Sequence, residues 1–143
     1  MATFNKFNCF TENLAEKVHD LGADSLKIML SNTAPSASLT VKGDVTDITA
    51  ENGYTAGGAV VVVTASTQAA GVYKLVANDL VFTASGGTFG PARYAILYNN
   101  TAGAGDSTRP LIAWWDRGAS ATPAAGETFT IDLDQSGGVL TIT

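Results

Sequence analysis

The chain has 143 residues, the size of a single domain, and a chain of about this length buries roughly 70% of its unfolded surface. Thirteen acidic against eight basic side chains give a net charge of −5, which leaves no cationic excess to neutralise phosphates and argues against nucleic acid or an anionic membrane as partner. One Cys and one His exclude an intramolecular disulfide and a conventional Cys/His zinc site.

The opening residues, Met1-Ala2-Thr3-Phe4-Asn5-Lys6, lack a basic run followed by an apolar stretch. No run reaches the 18 or so apolar residues that span a bilayer, so the expected product is a soluble protein made in the cytoplasm. Phe7, Phe10, Leu14, Val18 and Leu21 then recur at helical spacing, with Glu12, Asn13, Glu16, Lys17 and Asp20 on the other face. The pattern predicts one amphipathic helix over 5–21, starting at Asn5 or at a Thr11 N-cap and closed by Gly22, and docked through Phe7, Phe10, Leu14 and Leu21.

From Ser25 the period becomes two, with Leu26, Ile28 and Leu30 on one side of a strand and Lys27 and Met29 on the other. Residues 31–58 combine Pro35, four glycines and small polar residues with brief apolar runs near Val41, Val45 and Ile48. They read as a long excursion carrying one or two short strands. Strands are expected at Val60–Thr64, Tyr73–Val76, Leu80–Thr83 and Arg93–Tyr98, where Tyr94, Ile96 and Tyr98 share a face. Others follow at Leu111–Asp116, around Phe129, Ile131 and Leu133, and at Leu140 and Ile142. The expected fold is therefore mainly β: a single antiparallel β-sandwich or jelly-roll-like domain over 1–143 with one N-terminal helix.

No catalytic group stands out. His19 reads as an ordinary helix residue, since no nucleophile can be paired with it, and Cys9 as a small half-buried apolar residue. Asp116, Asp132 and Asp134 could converge on a metal, but Asp132 and Asp134 alternate with apolar positions as a solvated strand face would. The Gly-rich stretches at 86–90 and 103–105 lack phosphate-loop and dinucleotide spacing and read as turns. No cofactor, metal or enzymatic activity is expected.

Charged side chains make up 15% of the chain against a usual figure of about 25%, while Ala, Thr, Gly and Ser fill 64 of 143 positions. Such a surface suits partial cover by another protein. Trp114 and Trp115 point to opposite faces of a strand, so one looks outward unless both faces are covered; Arg109 and Arg117 flank them. Tyr54 is the one aromatic in the excursion. Tyr54, Trp114, Trp115 and Arg117 are thus the candidate subunit contacts, with the excursion laid along a neighbour's sheet edge; the alternative is a self-packed loop with both Trp rings internal.

Several segments resemble small virion proteins of tailed bacteriophages: Phe4–Phe7 with Leu14–His19, Leu30–Pro35, Gly53–Gly58, Tyr94–Asn99, Pro110–Asp116 and Ala125–Ile131. The likeness runs over nearly the whole chain and implies a structural virion component with no catalytic residue. The expectation is a capsid decoration (cement) protein in the virion, made in the host cytoplasm. Its partners would be the major capsid protein, further copies of itself in a homo-oligomer, or both. A tail or head-to-tail component, or a carbohydrate- or receptor-binding module using its Trp, Tyr and Asp side chains, is the alternative.

Overall fold

The computed structural model describes residues 2–143. In chain order these form β1 (Phe4–Lys6), α1 (Asn8–Ala15), β2 (Leu26–Ser31), a 3-10 turn (Lys42–Asp44), β3 (Ala59–Val60), β4 (Val63–Ala69) and β5 (Val72–Ala77). There follow β6 (Leu80–Thr83), β7 (Ala92–Asn99), β8 (Leu111–Ala121), β9 (Thr128–Ile131) and β10 (Leu140–Ile142). The strands make three sheets, a five-stranded one ordered β1-β8-β7-β2-β3, a three-stranded one ordered β10-β5-β4, and the pair β6-β9. Every pairing is antiparallel. The fold is mainly β and sandwich-like, with a single α-helix among the described residues, as the strand periodicity predicts.

Alternation sorts the core. Leu26, Ile28 and Leu30 of β2, Ala95 and Leu97 of β7 and Trp115 of β8 face inward. There they meet Leu75 of β5, Phe82 of β6, Phe129 and Ile131 of β9 and Leu140 of β10 in one buried cluster. The opposite face of the same sheet is also dry. Met29, Tyr94, Ile96, Tyr98 and Leu111 pack there with Phe7 and Val45, edged by Cys9, Leu39 and Trp114. Tyr94, Ile96 and Tyr98 share that face as their spacing predicts.

The helix is shorter than the 5–21 expected, at Asn8–Ala15. Its expected first residues, Asn5 and Lys6, belong instead to β1, which pairs Phe4, Asn5 and Lys6 with Trp115, Trp114 and Ala113. Phe7, not Thr11, is the N-cap. The end comes where Lys17 adopts φ +64°. The Val18 N–H then bonds the Asn13 carbonyl at 2.8 Å and the Lys17 N–H the Leu14 carbonyl at 3.3 Å. This is the doubly bonded left-handed cap usually given to Gly, so Gly22 is not the terminator. Val18 and Leu21 thus follow the helix; Leu21 is buried and Val18 is 37% exposed.

The run Val60–Thr64 is not one strand. The Val61 N–H bonds the Leu26 carbonyl and the Asn78 N–H bonds the Val62 carbonyl, so the run leaves one layer for the other. Gly58 permits the approach to that crossing: its φ is +75°, and a Cβ there would lie 1.8 Å from the Ile28 carbonyl oxygen.

Candidate interaction surface

Residues 32–58 join β2 to β3 and lie on their own domain. The Asn8 N–H bonds Ala37 O, the Lys42 N–H Arg109 O, the Gly43 N–H Asp106 O, the Leu111 N–H Thr40 O and the Ile48 N–H Leu30 O. Val41 forms a single β-bridge with Pro110, and no longer strand develops in the excursion. The excursion therefore packs on its own domain, with Leu39 and Val45 on the outer face and Ile48 and Tyr54 against the inner core, a correction to the expectation that it extends across a neighbour.

Tyr54 is corrected with it. The side chain is 3% exposed and its ring lies 5.3 Å from that of Phe82 and 6.0 Å from that of Phe89. Its hydroxyl accepts from the Leu30 N–H at 2.9 Å and donates to Asp47. The other Asp47 oxygen accepts from the Gly57 N–H at 2.6 Å, and the Tyr98 hydroxyl donates to the Gly57 carbonyl at 2.7 Å. Burial and the neighbouring Asp47 carboxylate push the Tyr54 hydroxyl far above its ordinary value, and burial pushes Tyr98 up to about 12. Both hydroxyls are fixed structural donors. A ring committed in this way cannot anchor a second molecule.

Neither Trp stands free on the surface, because both faces of β8 are covered. Trp114 turns to the outer face, 4.6 Å from the Phe7 ring. Trp115 turns inward, 8% exposed, and receives the Phe4 ring edge-on at 5.7 Å. It also lines a crevice of about 440 Å³ between the layers. The crevice runs between Ala2 and Thr3, just before β1, and Phe129–Ile131 of β9 with the following Asp132, with Trp115 and Phe129 as aromatic lining. A smaller hollow of about 150 Å³ shares Ala2, Trp115 and Asp132 and continues toward Asp134 and Val139. β1 and β9 each have a strand neighbour on one side only among the described residues.

Charge rims this crevice. Arg93 donates to both Asp116 oxygens, from Nε at 2.7 Å and from a terminal nitrogen at 2.9 Å, and its guanidinium lies 5.2 Å from the Tyr94 ring. That hydrogen bonding holds the Asp116 carboxyl below the usual carboxylate range, helped by the Gly118 N–H. Arg117 is exposed and bonds the Ala119 carbonyl at 3.1 Å, which leaves most of its donors to solvent. Asp132 lines the same crevice, whereas Asp134 accepts from the Ser136 and Gly137 N–H groups. Asp116 is thus spent on Arg93 and Asp134 on a turn. Arg109 bonds Asp106 at 3.2 Å, away from Trp115.

Of the four candidate contacts, the structure brings together Trp115 and Arg117. Trp114 is beneath the outer cover and Tyr54 in the core. Sequence reasoning missed Phe4, 37% exposed at the edge strand, and Arg93. The signal for Arg93 was the β7–β8 register, which sets its neighbour Tyr94 opposite Asp116. Cys9 is half-buried against the Leu39, Thr40 and Leu111 carbonyls, and burial pushes its thiol up, so it is a poor nucleophile.

No family model, curated protein or solved structure matches this chain. No helix among the described residues is long and apolar enough to cross a membrane.

Proposed function

We propose that the protein is a non-enzymatic virion component of a tailed bacteriophage, a decoration protein that docks on the assembled capsid shell and stiffens it. The observation that carries this reading is the crevice lined by Ala2 and Thr3, by Trp115–Arg117 of β8 and by Phe129–Ile131 of β9. An edge strand, β9, borders an aromatic lining of Trp115 and Phe129, with the exposed Arg117 beside it. Such a feature offers a neighbour main-chain hydrogen bonds, an apolar pocket and a cationic anchor together. The low charge and small side chains suit close lateral packing, and repetition around a shell makes small contacts sufficient. The phage-like segments point the same way, and the partner would be the major capsid protein, other copies of this chain, or both.

The test is cosedimentation of the protein with assembled shells. Arg117→Glu, which alters an exposed side chain away from the core, should weaken binding at least tenfold, about 1.4 kcal/mol. Unchanged binding removes the crevice from the interface. Densitometry of purified particles against the major capsid protein separates the shell from the tail: a copy number near that of the capsid protein supports decoration, and a few copies per particle places the protein in the tail.

A further inference from the structure

Among the described residues, β1, β3, β4, β6, β9 and β10 each have a strand neighbour on one side only. Such an edge exposes a row of backbone N–H and C=O groups, which proteins keep from pairing with other chains by making it short, charged or bulged. Most of these edges are short, from two residues in β3 to four in β6 and β9. β4 is different: Val63–Ala69 is seven residues long and carries no charge and no proline. Its register slips between Val63 and Ala65, and from Ala65 to Ala69 it runs evenly along β5. The two-residue turn Ala70-Gly71 sets Ala69 opposite Val72, so Ala65, Thr67 and Ala69 bond β5 while the N–H and C=O of Ser66 and Gln68 point away from it. Among the described residues no backbone group from elsewhere in the chain bonds them. The Ser66 hydroxyl is bonded to Tyr73 at 2.8 Å, and Thr67, Gln68 and Ala69 are exposed. The strand is thus anchored to its own domain with its edge open.

The strand that fits this edge is a second β4, running antiparallel. With a two-fold axis at Thr67, Ser66 of each copy exchanges both of its backbone bonds with Gln68 of the other, and Ala65 faces Ala69. The two Thr67 side chains then meet at a non-hydrogen-bonded position, where neighbouring strands approach most closely. The same axis joins the two ends of β4, and each end carries an exposed valine. Val62, 57% exposed, lies just before the strand, and Val72, 39% exposed, just after its turn. Antiparallel pairing sets Val62 of each copy beside the hairpin tip that bears Val72 of the other, so the apolar surface at one end finds its match at the other end. Like charges stay apart. Lys74, opposite Thr67 on β5, donates to the Ser136 carbonyl at 2.9 Å. Its copies would stand three strand spacings apart, roughly 14 Å, beyond the screening length of about 8 Å at physiological salt.

We propose that two copies of this chain join edge to edge through β4, antiparallel about Thr67, so that the sheet β10-β5-β4 continues across the axis into its partner. No residue of β4 lines the crevice, and the contact does not rest on the reading of the protein as a virion component.

The experiment is sedimentation velocity on the full chain alone, from micromolar to millimolar concentration. The expected result is a reversible monomer–dimer equilibrium. Thr67→Lys sets two ammonium groups against each other at the axis and should weaken the dimer at least tenfold; Thr67→Glu should do the same with two carboxylates. An equimolar mixture of these two variants should recover the dimer, because each lysine then faces a glutamate, an outcome that only a contact of Thr67 with its own copy produces. Gln68→Pro removes an outward N–H and leaves the β5 ladder intact, so it should also weaken the dimer tenfold and tests the edge even if a charged variant fails to fold. A monomer at millimolar concentration, a dimer indifferent to Thr67→Lys and Gln68→Pro, or a mixture that stays monomeric would each overturn the proposal. The sample contains no capsid shells, so any of these results leaves the shell-binding reading to its own test.

Discussion

The inner face of the five-stranded sheet is covered by other strands, and its outer face by a loop. Inside, aliphatic and aromatic side chains from three sheets interlock, and backbone groups are satisfied by the ladders themselves. Outside, residues 32–58 have almost no ladder, so their polar groups are held by isolated backbone hydrogen bonds, by turns and by side chains. Asp44 accepts from the Thr40 and Val41 N–H groups, Asp47 from the Gly57 N–H and Tyr54, and Lys42 donates to Asp106 at 2.7 Å while lying 5.7 Å from the Tyr98 ring centre. An apolar face can therefore be sealed by irregular chain, provided that its backbone groups find partners one by one, in turns, in facing segments or in side chains. The inner face depends on volume and the outer face on specific hydrogen bonds.

The sharpest contrast comes from volume. Leu97 is fully buried in the inner cluster, and Leu97→Ala should cost about 2–5 kcal/mol in urea unfolding and lower the whole transition. A loss below about 1 kcal/mol would show that the two layers repack freely. In the excursion, where Tyr54 enters the inner core, Tyr54→Phe removes one oxygen and leaves the Leu30 N–H unpaired, for about 1–3 kcal/mol. Its mark should be local as well: amide exchange in 47–58 should accelerate more than in β7. Equal acceleration in both would mean that the cover and the sheet open as one unit.

Lys42→Met is milder, about 1 kcal/mol or less, because Asp106 is 56% exposed even though Lys42 is nearly covered. Lys42 also holds the Asp106 carboxyl below its ordinary 3.8, so the stability it contributes is present above that value and is lost as pH falls through the lower folded value. The variant should lose less on acidification than the parent.

The smallest effect is expected at His19. Burial, at 6% exposure, lowers its affinity for a proton from the ordinary 6.5, outweighing the nearby Asp24; the other charges lining the adjacent hollow are Lys17 and Asp20. The unfolded chain then binds the proton first, so stability falls as pH drops below about 6.5 and the fall ends at the lower folded value. His19→Gln should flatten that window. An unchanged pH profile would show that His19 is not the group that titrates there.

These two faces also differ in what the sequence reveals. Period two finds β2 and β7, the bounds of β6 fall where Leu80–Thr83 predicts, and the mainly β fold follows from the spacing of such runs. The long excursion is invisible to that logic. Nothing near Tyr54 says that its hydroxyl will meet the Leu30 N–H, because the meeting depends on how a loop returns to a strand 24 residues earlier. The helix is overextended in the reading because Phe7 fits a helical stripe as well as it fits its true partner, Trp114, and because Val18 and Leu21 keep the helical spacing beyond the left-handed Lys17. Trp115 and Arg117 are legible as a pair by proximity in sequence. Arg93 and Phe4 join them through strand pairing, which no local pattern carries. The burial of His19 depends on a left-handed Lys17 that no Gly announces.

The pairing of β1 with β8 also sets an order of events during synthesis. Phe4 meets Trp115, and the Phe7 N–H meets the Ile112 carbonyl, so both wait for residues more than a hundred positions further along the chain. At about 5–20 residues per second, the ribosome leaves that opening segment without its partner for on the order of 5–20 s. Through that interval its phenylalanines are exposed beside the nascent chain, and the sheet can close at this edge only after β8 has emerged. A chain released before residue 111 should therefore bind hydrophobic dye and be degraded, whereas one released after residue 121 can already zip its first strand into place.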